Sequence, residues 1–247
     1  MSESLAIVLA AGKGTRMNSD RPKVLCKALG RPLVDYVLDA LDRAEVDRVL
    51  VVVGFGSDQV RAALAERPNI EFIEQTEQLG TGHAVMVCRD RLEGHDGPVL
   101  VMVGDSPLFQ TRSINQLFAA YHKGRPACVM GTLHKDNPTG LGRVVRDEQG
   151  DFVSIVEEKD ATEAQRQITE VNMSIYVFDC RELLHSLEHL KNDNRQKEYY
   201  LTDCPGMLRS EGKEVRALPV LEPCEALAVN TIEELRIVEE EMQRLGY

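Results

Sequence analysis

The chain has 247 residues, 43% of them hydrophobic, and carries a formal net charge of −11. That length supports a packed core in one large or two small domains, and no stretch approaches the ~18 consecutive apolar residues a membrane helix needs. The acidic balance argues against nucleic acid as a partner, Met-Ser-Glu-Ser-Leu lacks the basic and apolar regions of a secretory leader, and six scattered cysteines without a Cys-x-x-Cys read as reduced core thiols of a cytoplasmic protein.

Leu5–Ala10 is a strand-length apolar run that opens onto Gly12-Lys-Gly-Thr-Arg-Met17. Pro32–Ala44 reads as a helix with Pro32 at its first position, Val49–Val53 as a strand, and Ser57–Glu66 as a helix capped by Ser57. Ile70–Ile73 is a third strand, Thr81–Leu92 a helix capped by Thr81, Val99–Val103 a fourth strand, and 113–123 a fourth helix. Near-continuous apolar runs suit strands covered on both faces, and four β-loop-α units in a row predict a doubly wound, mostly parallel Rossmann-like α/β sheet.

After about residue 126 the strand signals crowd together, at Ala127–Leu133, Arg143–Arg146, Phe152–Glu157 and Val171–Phe178, with a turn at Glu148-Gln-Gly-Asp151. They predict mixed or antiparallel additions that form a smaller lobe over the cleft. Leu183–Leu190 and Tyr199–Arg209 read as helices, and Val215–Val220 as a strand. Thr231–Leu245 reads as a capped terminal helix with Ile232, Leu235, Val238 and Met242 on one face. The expected division is a single domain in which a first half runs to about 125, a second lobe spans about 126–230, and a last helix occupies 231–246.

Two features carry chemistry. In the first loop, glycines let backbone N–H groups approach a polyphosphate, and Lys13, Arg16, Arg21 and Lys23 add four positive charges opposed only by Asp20. The spacing fits neither Gly-x-Gly-x-x-Gly, whose third glycine would fall on Met17, nor the P-loop pattern. Second, Asp105 follows the apolar run Val99–Val103 and precedes Ser-Pro. A carboxylate at a buried strand end requires a partner, and a magnesium ion bridging phosphate oxygens would supply one; a helix cap or a salt bridge is the plainer alternative. Ligands in open α/β sheets bind beyond the carboxyl ends of the strands, so the loop and the carboxylate should face one cavity.

Leu9-Ala-Ala-Gly-Lys-Gly-Thr-Arg-Met17 with Pro22-Lys23 resembles the signature of sugar-1-phosphate nucleotidyltransferases. Further along, Gln75-Thr-Glu-Gln-Leu-Gly-Thr-Gly-His-Ala84, Gly104-Asp105, Asp136-Asn-Pro-Thr-Gly-Leu-Gly-Arg143, Ile155-Val-Glu-Glu-Lys-Asp-Ala161 and Glu198-Tyr-Tyr-Leu-Thr-Asp203 resemble the uridyltransferase domain of the bacterial N-acetylglucosamine-1-phosphate uridyltransferases, which is usually fused to an acetyltransferase. The likeness runs in order from about residue 5 to the C-terminus. It implies a nucleotide-diphospho-sugar transferase fold, with UTP and a sugar 1-phosphate as partners and Mg2+ as cofactor.

The resemblance also implies roles. Leu9, Ala11, Gly12 and Gly14 would contact the nucleotide, and Gln75, Gln78, Gly80 and Thr81 would hold the uracil, whose edge suits an amide that both donates and accepts. Gly104, Gly142, Glu157 and Asn172 would bind the sugar, Arg16 and Lys23 would be catalytic, and Asp105 and Asn230 would hold the metal. Read without the family, Asn230 is better taken as the N-cap of the last helix. Met173-Ser174 departs from the family's usual Thr-Gly after Asn172, and Val103 replaces an aromatic residue found in some relatives, so another sugar such as glucose 1-phosphate is the alternative acceptor. His83 reads as structural. A nucleotide sensor without turnover is a further alternative. The chain stops after its terminal helix, so no hexapeptide-repeat domain and no acetyltransferase activity are expected; the oligomeric state is open.

Overall fold

The computed structural model describes residues 3–14 and 21–247. In chain order the strands are β1 (Leu5–Ala10), β2 (Lys27–Ala28), β3 (Arg31–Pro32), β4 (Arg48–Val53), β5 (Ile70–Glu74), β6 (Pro98–Val103), β7 (Cys128–His134), β8 (Gly142–Arg146), β9 (Phe152–Val156), β10 (Glu170–Asp179) and β11 (Val215–Leu218). The helices are α1 (Leu33–Arg43), α2 (Ser57–Ala63), α3 (Thr81–Met86), α4 (Arg89–Leu92), α5 (Thr111–His122), α6 (Glu163–Arg166), α7 (Cys180–His189), α8 (Asp203–Ser210) and α9 (Ile232–Leu245).

One sheet organises the described residues, in the order β11-β7-β10-β6-β1-β4-β5. β6, β1, β4 and β5 are parallel, as the repeated β-loop-α pattern implies. β10 runs antiparallel between β6 and β7, β11 pairs parallel to β7, and the β8–β9 hairpin joins at the start of β10. The strands of the second half therefore extend the same sheet, and the ten-residue β10 links the β8–β9 hairpin to β6. This is the mixed, mostly parallel α/β architecture the sequence predicts.

The sheet is covered on both faces. Ala6, Val8 and Ala10 of β1 pack with α1 and α5 residues such as Val37, Leu41 and Leu117. Leu5 and Ile7 face the other way, toward Val85, Leu183 and Leu208 of α3, α7 and α8. A third cluster seats α9, through Val238 and Met242, against Ala28, Leu33, Tyr36 and Leu108. Of the four α9 residues expected on one buried face, Ile232 is instead 53% exposed, because the helix rests on the domain only beyond its first turn.

Local departures have local causes. Gly56 and Gly80, rather than Ser57 and Thr81, occupy the positions before α2 and α3, and Pro32, expected at the first position of α1, sits just before it. The Thr81–Leu92 helix is interrupted, with Cys88 N–H bonding to Val85 rather than continuing the i−4 ladder. The expected Tyr199–Arg209 helix begins only at Asp203. Pro205 belongs to its first turn, where the missing N–H costs nothing, and the preceding residues are engaged elsewhere. β11 stops at Leu218 because Pro219 has no N–H to extend the ladder.

Candidate active site

β1 lies between β4 and β6, so the connections leave it in opposite directions and a crevice opens at the carboxyl ends of β1 and β6. Leu9 pairs with Val103, and the Gly104 N–H donates to the Leu9 carbonyl at 2.9 Å. Ala11 and Gly12 thus emerge beside Gly104 and Asp105. A Cβ at Gly104 would lie 3.1–3.2 Å from Val8, Leu9 and Val24 atoms, so the glycine permits this close approach.

Lys23 enters the crevice from a one-turn 3-10 helix, Lys23–Leu25, whose Val24 and Leu25 anchor it in the core. Its ammonium stands 2.5 Å from Asp105 Oδ2 and donates to Asn230 Oδ1 at 2.7 Å. Gly14 packs on the lysine stem in a left-handed conformation (φ +64°), and a Cβ there would come within 2.7 Å of Lys23 Cβ. Lys13 turns away, with Nζ 5.0 Å from the centre of the Phe55 ring. Arg16 and Met17 lie outside the described residues.

Asn230 is not the helix cap. Thr231 fills that role: its hydroxyl accepts the Glu234 N–H at 3.1 Å, and the Glu234 carboxylate accepts the N–H groups of Thr231 and Asn230. The Asn230 amide oxygen is left to face Lys23. Asp105 and Asn230 thus aim two hard oxygens at one cationic point, a donor set that suits a magnesium ion sharing its remaining sites with water and phosphate. Among the described residues no three His, Cys, Asp or Glu side chains form a metal-holding group.

Two cavities meet at this point, both lined by Lys23, Val103 and Asp105. The smaller, about 280 Å³, is bounded by Leu9, Ala11 and Gly12 and by Gln75, Gln78, Gly80 and Thr81. The loop carrying the latter four is braced internally: Gln75 Nε2 contacts the Gly80 carbonyl at 3.2 Å and His83 Nδ1 at 3.0 Å, and Gln78 Nε2 donates to the Gln75 carbonyl at 3.0 Å. It is also sewn to the second half. Gly82 N–H donates to Tyr199 O, Tyr199 N–H to Leu79 O, and Leu201 N–H to the Thr81 hydroxyl. Gly80 has φ +110°, and a Cβ there would lie 2.5 Å from the Tyr199 carbonyl.

Gly142, Glu157 and Asn172 come together at the β8–β10 junction: a Cβ on Gly142 would lie 3.6 Å from Glu157 Oε1 and 3.7 Å from Asn172 Cβ. Glu157 Oε1 accepts the Thr202 hydroxyl at 3.0 Å. Burial pushes the Glu157 carboxyl above its ordinary range, with Asp160 and Glu198 adding to the rise and the Thr202 bond opposing it. Nearby, burial together with Glu157, Asp193 and Asp160 raises Asp203 to about 6, although the residue still reaches solvent. Of the four sugar candidates, Asn172 lines the larger cavity, about 450 Å³, with Met173 and Ser174, whereas Gly104, Gly142 and Glu157 are not among its lining residues.

Ser174 explains the departure after Asn172 in structural terms. It holds a left-handed conformation (φ +56°) at the bulge that shifts the β10–β7 register between Asn172 and Tyr176. A glycine takes that conformation freely; here the turn is secured by Asn172, whose Oδ1 accepts Ser174 N–H at 3.2 Å while its Nδ2 donates to the buried Tyr176 hydroxyl at 2.7 Å. Among the lining residues, Glu198 in the smaller cavity and Thr139 in the larger lay within quoted motifs without an assigned contact, as did Thr202, and Ser106 was noted only as the residue after Asp105. Lys135, in the larger cavity, carried no sequence signal.

Residues 6–203 match the MobA-like NTP transferase domain family. The chain is 41% identical over 239 residues to the bifunctional protein GlmU of Alkaliphilus metalliredigens, covering 97% of this chain and 52% of that protein. It is 44% identical over 239 residues to GlmU of Alkaliphilus oremlandii, with the same coverage, and 42% identical over 230 residues to GlmU of Listeria innocua, covering 93% and 50%. The chain thus spans about half the length of the curated relatives it matches. A crystal structure of UDP-glucose pyrophosphorylase complexed with UDP-glucose superposes with a TM-score of 0.78 over 99% of this chain and 100% of that one, at 16% identity, a likeness of fold. No helix of the described residues is long and apolar enough to cross a membrane. The chain belongs to the MobA-like NTP transferase domain family and is a nucleotidyltransferase.

Proposed function

We propose that the protein transfers a uridylyl group from UTP to N-acetylglucosamine 1-phosphate, giving UDP-N-acetylglucosamine and pyrophosphate. The observation that carries this reading is the shared wall of Lys23 and Asp105 between two cavities, with Asn230 on the same ammonium. A nucleotide in the smaller cavity and a sugar phosphate in the larger would present their phosphates to the same few atoms. We assign the nucleotide to the half up to about residue 125 and the acceptor to about 126–230.

In this reading Leu9, Ala11, Gly12 and Gly14 hold the nucleotide through backbone, and Gln75, Gln78, Gly80 and Thr81 seat the uracil. Gly104, Gly142, Glu157 and Asn172 form the sugar side, where Glu157 accepts hydroxyl protons. Mg2+ on Asp105 and Asn230 would neutralise phosphate charge at the junction. A phosphate monoester has a second pKa near about 6, so its oxygen is already a competent nucleophile and no strong general base is needed. That oxygen forms the new bond to the α-phosphorus, the bond to the β-phosphate oxygen breaks, and pyrophosphate leaves. Lys23 counters charge growing at the α-phosphate, and Arg16 with the loop N–H groups holds the leaving pyrophosphate. Catalysis rests on positioning and charge neutralisation.

A second acceptor is favoured by one observation. Met173 and Ser174 line the larger cavity where the resemblance leads one to expect Thr-Gly, and a wall reshaped in this way would suit glucose 1-phosphate. Pyrophosphate release by purified protein, across a panel of nucleoside triphosphates and sugar 1-phosphates, tests both readings. The expected optimum is UTP with N-acetylglucosamine 1-phosphate; an optimum with glucose 1-phosphate selects the second.

A further inference from the structure

Lys135 lines the larger cavity together with Lys23 and Asp105, and follows immediately after β7. Its backbone is fixed, the N–H donating to Thr169 O at 3.0 Å, while its ammonium has only a long 3.5 Å contact to the Ala226 carbonyl. The two acids lining this cavity are already engaged: Asp105 with Lys23, and Glu234 with the backbone N–H groups of Asn230 and Thr231. Among the described residues no carboxylate pairs with Lys135. The formal charges of the lining balance, Lys23 and Lys135 against Asp105 and Glu234, but both acids are engaged elsewhere, which leaves the Lys135 ammonium as the cation without a carboxylate on a concave wall. Such an ammonium favours an anion. Hydroxyl and amide groups of Ser106, Thr139, Asn172 and Ser174 line the same cavity and can satisfy the remaining oxygens of a phosphate or the hydroxyls of a sugar.

We propose that Lys135 is a specificity-determining residue that reads the phosphate dianion of the acceptor. This rests on the reading of the larger cavity as the acceptor pocket. Lys23 serves the junction where the bond is made, whereas Lys135 acts on ground-state binding of the incoming monoester. A lysine suits this task, since a point charge on a flexible stem can follow a phosphate that must move toward the α-phosphorus.

The test is steady-state kinetics of Lys135→Met and Lys135→Arg, together with calorimetric binding of inorganic phosphate to the nucleotide-free protein. Loss of one charge-assisted contact should raise the KM for the sugar phosphate by about 10–100-fold in Lys135→Met. The KM for UTP and kcat should stay within about 2-fold, and Lys135→Arg should recover most of the loss, because it retains the charge. Equal rises in both KM values, or an unchanged KM for the sugar phosphate, would overturn the assignment. If the parental protein uses no sugar phosphate at all, the proposed function fails, and the phosphate titration decides the Lys135 site independently: weaker binding in Lys135→Met supports it, and unchanged binding removes it.

Discussion

The ammonium of Lys23 stands 2.5 Å from Asp105 Oδ2, on the wall shared by the two cavities that meet at the crevice. The contact joins the end of β6 to the segment after the glycine-rich loop, and through Asn230 it reaches the start of α9. Three distant stretches of chain meet at one charge cluster because β1 and β6 are neighbours in the sheet.

Asp105→Asn keeps the shape of the side chain and removes its charge. It should leave the melting temperature close to the parental value and lower magnesium-dependent turnover by at least about 100-fold, since losing even an outer partner of a metal ligand costs 10–100-fold. Near-parental turnover at saturating magnesium would remove Asp105 from the metal site.

Lys23→Met should slow pyrophosphate exchange by roughly 10–150-fold, the value of a charge-assisted contact of about 1.5–3 kcal/mol. Arg16→Ala should act in the same direction. In the nucleotide-free protein, Lys23→Met should also bind Mn2+ more tightly by electron paramagnetic resonance, because the competing ammonium is gone from Asp105 and Asn230. Weaker Mn2+ binding in this variant would mean that the lysine and the metal do not compete for those oxygens.

Gly80 has φ +110° and ψ 175°, a region that essentially only glycine occupies, and its missing Cβ faces the Tyr199 carbonyl. Gly80→Ala should destabilise the domain by about 1–3 kcal/mol and raise the KM for UTP, because it opens the seam that holds Gln75–Thr81 in place. Chemical denaturation and a UTP titration measure the two effects; an unchanged KM with reduced stability would separate the seam from nucleotide binding.

Ser174→Gly relieves a left-handed serine, a gain of about 1–2 kcal/mol, offset by about 0.5–1 kcal/mol from the greater freedom of glycine when unfolded. A modest rise in stability is expected. Combined with Met173→Thr, the change should sharpen kcat/KM preference for N-acetylglucosamine 1-phosphate over glucose 1-phosphate. An unchanged ratio would show that this turn does not read the sugar.

Asp203 is held at about 6, above its ordinary 3.8, so the folded chain binds a proton more tightly than the unfolded one. This residue's contribution to stability is present below about pH 4 and is lost as pH rises through about 6. Asp203→Asn should therefore stabilise the protein more at pH 7.5 than at pH 4.5. Equal shifts at both pH values would contradict the raised carboxyl.

The alternation of apolar runs with helix-length stretches made the parallel half legible, since period and length are local properties of the chain. So were the loop after β1 and the carboxylate after β6, because a doubly wound sheet brings strand ends together. What local pattern could not reveal was long-range pairing. In the expected 199–209 helix, Tyr199 is instead tied to Leu79 and Gly82 and Leu201–Thr202 form a turn before α8, and the Asn230 cap is displaced by the Thr231–Glu234 pair. Lys135, flanked by exposed His134 and Asp136, has no sequence signal, and only the cavity gives it a role. The residues that line the two cavities are supported by convergence in space, and Arg16 stands on the sequence resemblance.

The most direct measurement is pyrophosphate release from UTP by the purified protein, with and without N-acetylglucosamine 1-phosphate and with and without Mg2+. Release is expected only when UTP, the sugar phosphate and Mg2+ are all present, with stoichiometric UDP-N-acetylglucosamine. Release independent of any sugar phosphate, or none with any member of the panel while UTP still binds, would contradict the proposed function.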